Sequence, residues 1–290
     1  MQPLTTSDGA APAKPQENGP ALWLERYPWP DADSHKHNRG RLAIVGASPS
    51  RTGATRLAAR AALRIGAGVV RMLSPPASTL VYATALEAVI LKPFADDDEL
   101  VALAAENDVV LAGPNLSAGE GTRRRVERLL GLDTACVLDA DAISAFEGDG
   151  EALCALTGGE DVLTPHTGEF ERVFPGLLEE RGREAAAREA AQRAGAVVVL
   201  KGANTLVAAP DGRLAVNKVD APWLATLGTG DVLAGIAAGL RAQRMPPFEA
   251  ACAAVWLHAR AAADFGPGLT AEDLPDLLPP LLRELRAGAR

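Results

Sequence analysis

The chain has few aromatic residues, few cysteines and no excess of positive charge. Phe, Trp and Tyr together make up 4% of its 290 residues, so the core has to be built mainly from Ala, Val, Leu and Ile. The three cysteines, Cys136, Cys154 and Cys252, lack the spacing of metal ligands, which predicts free thiols in a reducing compartment. A net charge of −8 without a basic patch argues against nucleic acid as a partner.

Long apolar runs and the common nucleotide-binding fingerprints are also missing. No stretch approaches the ~18 consecutive apolar residues of a membrane span, and the N-terminus lacks the basic-then-apolar pattern of a signal peptide. We therefore expect a cytoplasmic protein that has no membrane partner. The sequence contains no GxxxxGK followed by Ser or Thr, and no GxGxxG follows a predicted strand. Any nucleotide must therefore bind in another way.

Short apolar runs alternate with helical segments through most of the chain. The predicted strands are Arg41–Val45, Val69–Leu73, Val109–Ala112, Cys136–Leu138, Val162–Thr164 and Val197–Leu200. Because these runs are apolar on both faces, they predict an α/β fold with a mostly parallel central sheet covered by helices on both sides. A β-hairpin over residues 205–217 and three helices follow. Residues 1–34 are predicted to be a disordered tail, to about residue 20, and a short arm. Residues 35–290 are predicted to form one domain.

The most informative stretch is Gly228-Thr229-Gly230-Asp231, which precedes an apolar helix. Glycine lets the backbone approach a ligand closely, and a helix start offers free N–H groups and a positive dipole end to a phosphate. Asp231 would then be a base that takes a proton from a hydroxyl group, while the backbone of Gly228 and Gly230 stabilises the phosphoryl group. The alternative is an ordinary glycine-rich loop in which Asp231 only complements the helix dipole.

Three further loops follow predicted strands, at the edge where ligands collect in open α/β sheets. They are Gly46–Ala54, the Gly-Pro-Asn turn at residues 113–115, and Asp139–Ala142. Taken alone, the first two are explained as ordinary connections with good turn residues. Asp141 is expected to cap the next helix. Asp139 stays open between a ligand role and a structural one.

Two other loops are more specific. In TPHTGE, residues 164–169, a Pro-His pair directly after an apolar strand predicts that His166 contacts a ligand at the edge of the sheet. Glu169 begins the next helix and could orient a hydrated Mg²⁺. In KGANT, residues 201–205, Lys201 and the backbone N–H groups beside it suit a phosphate, although a solvated turn lysine has the same pattern.

Taken in order, GAS, TGA, AGPN, DADA, TPHTGE, KGANT and GTGDVLAG resemble the ADP/ATP-dependent NAD(P)H-hydrate dehydratase family, a branch of the ribokinase-like superfamily. The resemblance covers residues 35–286, and TPHxGE, KGxxT and GTGD are its most specific motifs. It implies a three-layer ribokinase-like sandwich and a homo-oligomer, often a tetramer. It also implies repair of the S epimer of hydrated NADH or NADPH, in which ADP (ATP in eukaryotic members) is consumed and AMP and phosphate are released.

The resemblance assigns residues of this chain to two ligands and to the chemistry. The hydrated cofactor would be contacted by Ala54, Gly113, Asn115, His166 and Asp231. The nucleotide would be held by Lys201, Gly202, Ala203, Asn204, Thr205 and Gly230. Asp231 would act as the base and the backbone of Gly228 and Gly230 would stabilise the phosphoryl group, with Mg²⁺ near Glu169, bound through water.

Two motifs depart from the family pattern. The family's GPGLG loop is here GPNLS, which places Asn115 where the family has bare backbone, and its Asn-Pro-x-Gly-Asn segment is here NKVDA at residues 217–221. The epimerase domain often fused ahead of the dehydratase is not in this sequence, so we expect a separate epimerase to be functionally linked. Two alternatives stay open: a kinase of the same superfamily that acts on a thiazole or hydroxymethylpyrimidine alcohol, and a nucleotide sensor without turnover.

Overall fold

The computed structural model describes residues 14–36 and 38–288, which form strands and helices in alternation. The strands are β1 Gln16–Glu17, β2 Arg41–Val45, β3 Val69–Ser74, β4 Ile90–Pro93, β5 Val109–Ala112, β6 Ala135–Leu138, β7 Val162–Leu163, β8 Val197–Leu200, β9 Leu206–Ala208 and β10 Leu214–Val216. The helices are α1 Gly53–Ile65, α2 Pro76–Ala83, α3 Asp97–Ala105, α4 Glu120–Leu130, α5 Asp141–Ser144, α6 Gly150–Leu156, α7 Thr167–Val173, α8 Leu177–Arg181, α9 Arg183–Ala194, α10 Thr229–Ala242, α11 Pro247–Phe265 and α12 Leu274–Gly288.

All of these strands belong to one sheet in the order β1-β10-β9-β8-β7-β6-β5-β2-β3-β4. Every neighbouring pair is parallel except those made by β9, which runs antiparallel to both β8 and β10. The predicted mostly parallel sheet is therefore confirmed, and the predicted hairpin is the β9–β10 pair. Because these strands run parallel, their C-terminal ends lie at the same edge of the sheet. The loops after β2, β5, β6, β7 and β8 therefore lie together at that edge.

The sheet separates two apolar layers, which is why its strands lack polar alternation. On β2, Leu42 and Ile44 face the layer that contains α1, α10, α11 and α12, whereas Ala43 and Val45 face the layer that contains α3, α4, α6 and α9. All four side chains are 1% exposed or less. This arrangement confirms the predicted three-layer sandwich.

Small residues let the helices of the first layer approach each other closely. A Cβ atom added at Gly235 of α10 would lie 2.3 Å from the carbonyl oxygen of Ala58 in α1, and one at Gly239 would lie 2.5 Å from Ile65. At these two positions α10 therefore lies directly against the Ala58 backbone and the Ile65 side chain of α1, with no room for a side chain. The close packing fixes the position of α10, and with it the GTGD segment at the start of that helix.

The N-terminal segment differs from the sequence prediction. Gln16–Glu17, expected within a disordered tail, pairs in parallel with β10, and Asn18 is buried with its amide bound to the Cys252 carbonyl oxygen at 2.9 Å. Trp23 is 1% exposed and lies beside Trp256, with 5.8 Å between the ring centroids. Residues 1–13 lie outside the described part of the chain. Among the described residues, no helix combines the length and apolar character needed to cross a bilayer.

Candidate active site

The loops at the C-terminal edge of the sheet are tied together by backbone hydrogen bonds. The Lys201 N–H donates to the Pro165 carbonyl oxygen at 2.9 Å, and the His166 and Lys201 positions form an isolated parallel bridge. The Thr164 N–H donates to the Leu138 carbonyl oxygen at 2.9 Å. The TPHTGE and KGANT segments, which are separated by more than 30 residues of sequence, therefore continue the strand pairing and form one surface.

A buried ion pair lies at the centre of this surface. The Lys201 Nζ atom is 2.7 Å from Asp139 Oδ1 and 3.7 Å from Glu169 Oε2. Asp139 is 2% exposed and also accepts a hydrogen bond from Thr164 Oγ1 at 2.8 Å. Burial alone would lower the pKa of Lys201, but the two carboxylates outweigh burial and raise this pKa. Lys201 is therefore a cation whose charge is already compensated.

His166 caps helix α7. Its Nδ1 atom accepts hydrogen bonds from the N–H groups of Gly168 at 2.9 Å and Glu169 at 3.2 Å, while the His166 N–H donates to Glu169 Oε2 at 2.8 Å. This reciprocal arrangement is a capping box. The Nε2 atom lies 3.3 Å from Glu169 Oε1, and the side chain stays 54% exposed at the edge of the sheet, so part of the ring remains open to a ligand. Contact with the hydrated cofactor remains a prediction.

Asp231 lies in the first turn of α10, beside an uncapped helix start. Gly228 is the N-cap residue with a φ of +92°, and no side chain caps this end. The first N–H groups of α10 therefore have no partner within the helix and are available to an anion. The Thr229 Oγ1 atom donates to the carbonyl oxygens of Leu224 at 2.9 Å and Thr226 at 3.1 Å, which holds the segment in place.

The environment of Asp231 raises its pKa from 3.8 to about 7. Burial is the main cause, and the nearby carboxylates of Asp139, Glu169 and Asp141 add to it, while Lys201 opposes them. A carboxyl group with a pKa near neutrality can accept a proton and still be regenerated at physiological pH. The predicted base is therefore placed in an environment that suits this role.

The Gly-Pro-Asn turn after β5 is packed against the turn after β6. Gly113 has a φ of +131°, and a Cβ atom there would lie 1.7 Å from the Asp139 carbonyl oxygen, so only glycine fits. The Asn115 side chain donates to the Arg51 carbonyl oxygen at 3.0 Å, in the loop that precedes α1. The departure from the family pattern therefore gives a bond between two loops. Ala54, predicted to contact the same ligand, is 6% exposed.

The expected cap at Asp141 is wrong. Helix α5 begins after Ala140 without a side-chain cap, and Asp141 Oδ2 instead accepts the Ser117 N–H at 2.8 Å. Asp141 therefore ties the turn after β6 to the turn after β5. The prediction failed because helix-cap statistics describe local sequence, whereas this acceptor serves a donor 24 residues away.

In the KGANT segment, backbone and side chain have different roles. Gly202, Ala203 and Asn204 are exposed, and Gly202 and Thr205 close a small turn in which Thr205 Oγ1 donates to the Gly202 carbonyl oxygen at 3.0 Å. The Lys201 side chain points to Asp139. Contact of Lys201 and of the exposed backbone of residues 202–204 with a nucleotide remains a prediction.

Two residues of the site were not identified from the sequence. Asp139 was left open and forms the central ion pair with Lys201. Arg183, the first residue of α9, lies against Gly202, where an added Cβ atom would be 2.7 Å from its Nη2 atom. The position of Asp139 directly after a buried strand was a usable signal. Arg183 gave none, because it lies in a helix rich in Arg and Glu.

No protein-only metal site is formed by the described residues, since no group of three His, Cys, Asp or Glu side chains in them could hold a metal ion. Mg²⁺ usually binds to one or two carboxylates together with phosphate oxygens and water. Glu169 is 5% exposed and both of its oxygens contact His166, so it fits such a site only through a bridging water.

Comparison with known proteins agrees with this geometry. Residues 42–280 match the family model for NAD(P)H-hydrate dehydratase. An ADP-dependent (S)-NAD(P)H-hydrate dehydratase of Neisseria meningitidis is 39% identical, covering 88% of this chain and 87% of that protein. A bifunctional NAD(P)H-hydrate repair enzyme of Salinibacter ruber is 40% identical over 88% of this chain, which spans 51% of that protein.

A solved structure with the same fold completes the comparison. It is an ADP/ATP-dependent NAD(P)H-hydrate dehydratase from Bacillus subtilis, co-crystallised with ATP and Mg²⁺. It superimposes with a TM-score of 0.75 at 28% identity and covers 89% of this chain and 94% of its own. The ribokinase-like fold expected from the motifs is thereby confirmed, and the chain belongs to the NAD(P)H-hydrate dehydratase family.

Proposed function

We propose that this chain is an ADP-dependent lyase that dehydrates the S epimer of hydrated NADH or NADPH, and that AMP and phosphate are the other products. The observation that carries the proposal is Asp231, a carboxyl group with a pKa of about 7 directly beside the uncapped start of α10. Membership in the dehydratase family and the ADP dependence named for the Neisseria relative support the choice of substrates.

The geometry supports a phosphorylation followed by an elimination. Asp231 takes the proton of the ring hydroxyl group as its oxygen attacks the β-phosphorus of ADP, and AMP leaves. The backbone of Gly228 and Gly230 faces the phosphoryl group and stabilises its charge. The lone pair of the ring nitrogen then expels phosphate from the neighbouring carbon, and loss of a proton from the next carbon restores the double bond of NAD(P)H.

The ligand positions follow from the same surface. The hydrated cofactor lies against Gly113, Asn115, His166 and the first turn of α1 at Ala54. The nucleotide lies on the exposed backbone of residues 202–205 and beside Gly230, whose added Cβ atom would be 3.4 Å from Lys201 Nζ. A Mg²⁺ ion bound to the phosphates would lie near Glu169 and would neutralise phosphate charge. The ATP and Mg²⁺ of the Bacillus structure support both ligands.

The activity test uses the purified S epimer of hydrated NADH with ADP and Mg²⁺. We expect the absorbance of the reduced nicotinamide to return only when nucleotide is present. A thiazole or pyrimidine kinase would leave a stable phosphorylated alcohol and no recovered chromophore, and a sensor would bind nucleotide without releasing phosphate. Either of these results contradicts the proposal.

Two variants test the assigned roles. Asp231→Ala should lower turnover by about 10²–10⁴-fold and leave ADP binding largely intact, because it removes the base and keeps the backbone donors. Asp133→Ala, at an exposed aspartate before β6 and at the opposite edge of the sheet, is the control and should keep normal turnover. Near-normal turnover of Asp231→Ala would remove Asp231 from the mechanism.

A homo-oligomer, specifically a tetramer, belongs to the same proposal. Strand β4 ends the sheet, and its Ile90 is 49% exposed, while Leu80 of α2 beside it is 73% exposed. Exposed apolar side chains at an open sheet edge favour assembly. Light scattering on the purified protein tests this, and a monomer would contradict it. We place the protein in the cytoplasm, functionally linked to an epimerase of the hydrated cofactor, and its three free cysteines support a reducing compartment.

A further inference from the structure

Arg183 lies where the TPHTGE and KGANT segments meet. Its Nη1 atom donates to Thr167 Oγ1 at 3.2 Å, and its Nη2 atom donates to the carbonyl oxygens of Leu200 and Lys201, both at 3.3 Å. The guanidinium group therefore reaches from the start of α9 across the end of β8. It is fixed at the rim of the surface assigned above to the nucleotide.

The charge of Arg183 has no carboxylate partner among the described residues. None of their salt bridges includes it, and burial alone acts on its pKa, which is lowered. Arg123, Arg213 and Arg260, in contrast, each bind carboxylates that raise their pKa. A partly buried guanidinium group stays charged in proteins, and burying it without a counter-charge costs free energy. An anion bound beside Arg183 would supply the missing counter-charge.

Lys201, at the centre of this surface, does not offer a free charge to that anion. Lys201 is already paired with Asp139 at 2.7 Å and lies 3.7 Å from Glu169. With Asp231 partly ionised near neutral pH, the carboxylates around Lys201 outnumber its single positive charge. A nucleoside diphosphate brings about three further negative charges, which a Mg²⁺ ion neutralises only in part, so positive charge from another group favours its binding.

The geometry points to Arg183 as a contact for the terminal phosphate of the nucleoside diphosphate, and so as a residue that distinguishes ADP from AMP. The inference rests on the proposed function for the identity of the nucleotide. A guanidinium group has five N–H donors, and three of those of Arg183 are used on Thr167, Leu200 and Lys201, which leaves two for phosphate oxygens. The carbonyl contacts fix the orientation of the group before the ligand arrives.

The test measures binding of ADP, AMP and adenosine to the full chain by calorimetry. Arg183→Gln keeps a hydrogen-bonding side chain and removes the charge, and it should raise the Kd of ADP by about 10–100-fold, the size of a charge-assisted contact. The Kd of AMP should change several-fold less, and that of adenosine should be nearly unchanged. Arg183→Lys should fall between wild type and Arg183→Gln, because it keeps the charge and loses the planar fork.

A matched control comes from the same region. Arg181→Gln removes an exposed arginine that binds Glu189 at 3.3 Å, and it should leave all three Kd values unchanged. Thermal unfolding of each variant shows whether the fold is kept. The KM of ADP should rise with its Kd in Arg183→Gln, whereas the KM of the hydrated cofactor should change little.

The outcomes separate this inference from the proposed function. Equal weakening of ADP and adenosine would mean that Arg183 only braces the KGANT backbone, and unchanged ADP binding would also overturn the inference, even if the dehydratase activity is present. If Arg183→Gln selectively weakens ADP while the wild type fails to restore NADH, the inference stands and the dehydratase proposal fails.

Discussion

Replacing Asp231 by Asn should stabilise the protein at neutral and alkaline pH while it removes the base. The pKa of this carboxyl group rises from 3.8 to about 7 in the folded state. Between these pH values the folded chain holds a proton that the unfolded chain has lost, so stability falls as the pH rises through this window. Each tenfold change in an acidity constant corresponds to about 1.4 kcal/mol. This rise in pKa therefore lowers the free energy of unfolding by about 4 kcal/mol at pH 8, where the carboxylate is ionised.

The assay is urea denaturation of both proteins between pH 5 and 8.5. Asp231→Asn has no carboxyl group to ionise, so its free energy of unfolding should exceed that of wild type by about 2 kcal/mol at pH 5 and by about 4 kcal/mol at pH 8. The exposed Asp220→Asn should differ from wild type by less than about 0.5 kcal/mol throughout. A difference for Asp231→Asn that is absent at pH 8, or that does not grow with pH, would refute the reasoning.

Two further predictions concern the central ion pair and the packing of α10. The turnover of wild type should rise with pH through about 7, as Asp231 ionises. Asp139→Asn should shift this rise in turnover to a pH that is lower by roughly one unit or more, because it removes a negative charge near Asp231 and frees Lys201 from its ion pair. Gly235→Ala should lower the free energy of unfolding by about 1–3 kcal/mol, since its Cβ atom would lie 2.3 Å from a backbone oxygen. Gly121 lies in α4, where an added Cβ atom would have no neighbouring atom within 4 Å, so Gly121→Ala should raise the free energy of unfolding by about 0.5–1 kcal/mol.

Each of these predictions has a result that contradicts it. Thr164→Val removes the other hydrogen bond to Asp139 but keeps the charge, so its pH–rate profile should match wild type. If the pH–rate profile of Thr164→Val shifts as much as the profile of Asp139→Asn, then repacking around Asp139, rather than its charge, sets the pKa of Asp231. For the glycine pair, equal effects of Gly235→Ala and Gly121→Ala in chemical denaturation would mean that helix propensity, not contact with α1, decides stability.

The sheet and most of its boundaries could be read from the sequence. Continuous apolar runs such as Val109–Ala112 and Val197–Leu200 were assigned as strands with the bounds that the structure has. This works because a parallel strand buried on both faces needs such a run whatever surrounds it. Strand β4 and Gln16–Glu17 were missed, because edge strands are short and are stabilised by pairing with distant segments rather than by their own composition.

The sequence by itself determined the family and the residue types that carry the chemistry, because TPHTGE, KGANT and GTGD place special backbone and charged groups directly after strands and before helices. Only the tertiary structure decided what those groups do to one another. It pairs Lys201 with Asp139, makes His166 a helix cap, raises the pKa of Asp231 and places Arg183 beside Gly202. These effects depend on distance and burial, which sequence separation does not encode, since the electrostatic energy of a charge is set by its neighbours in space.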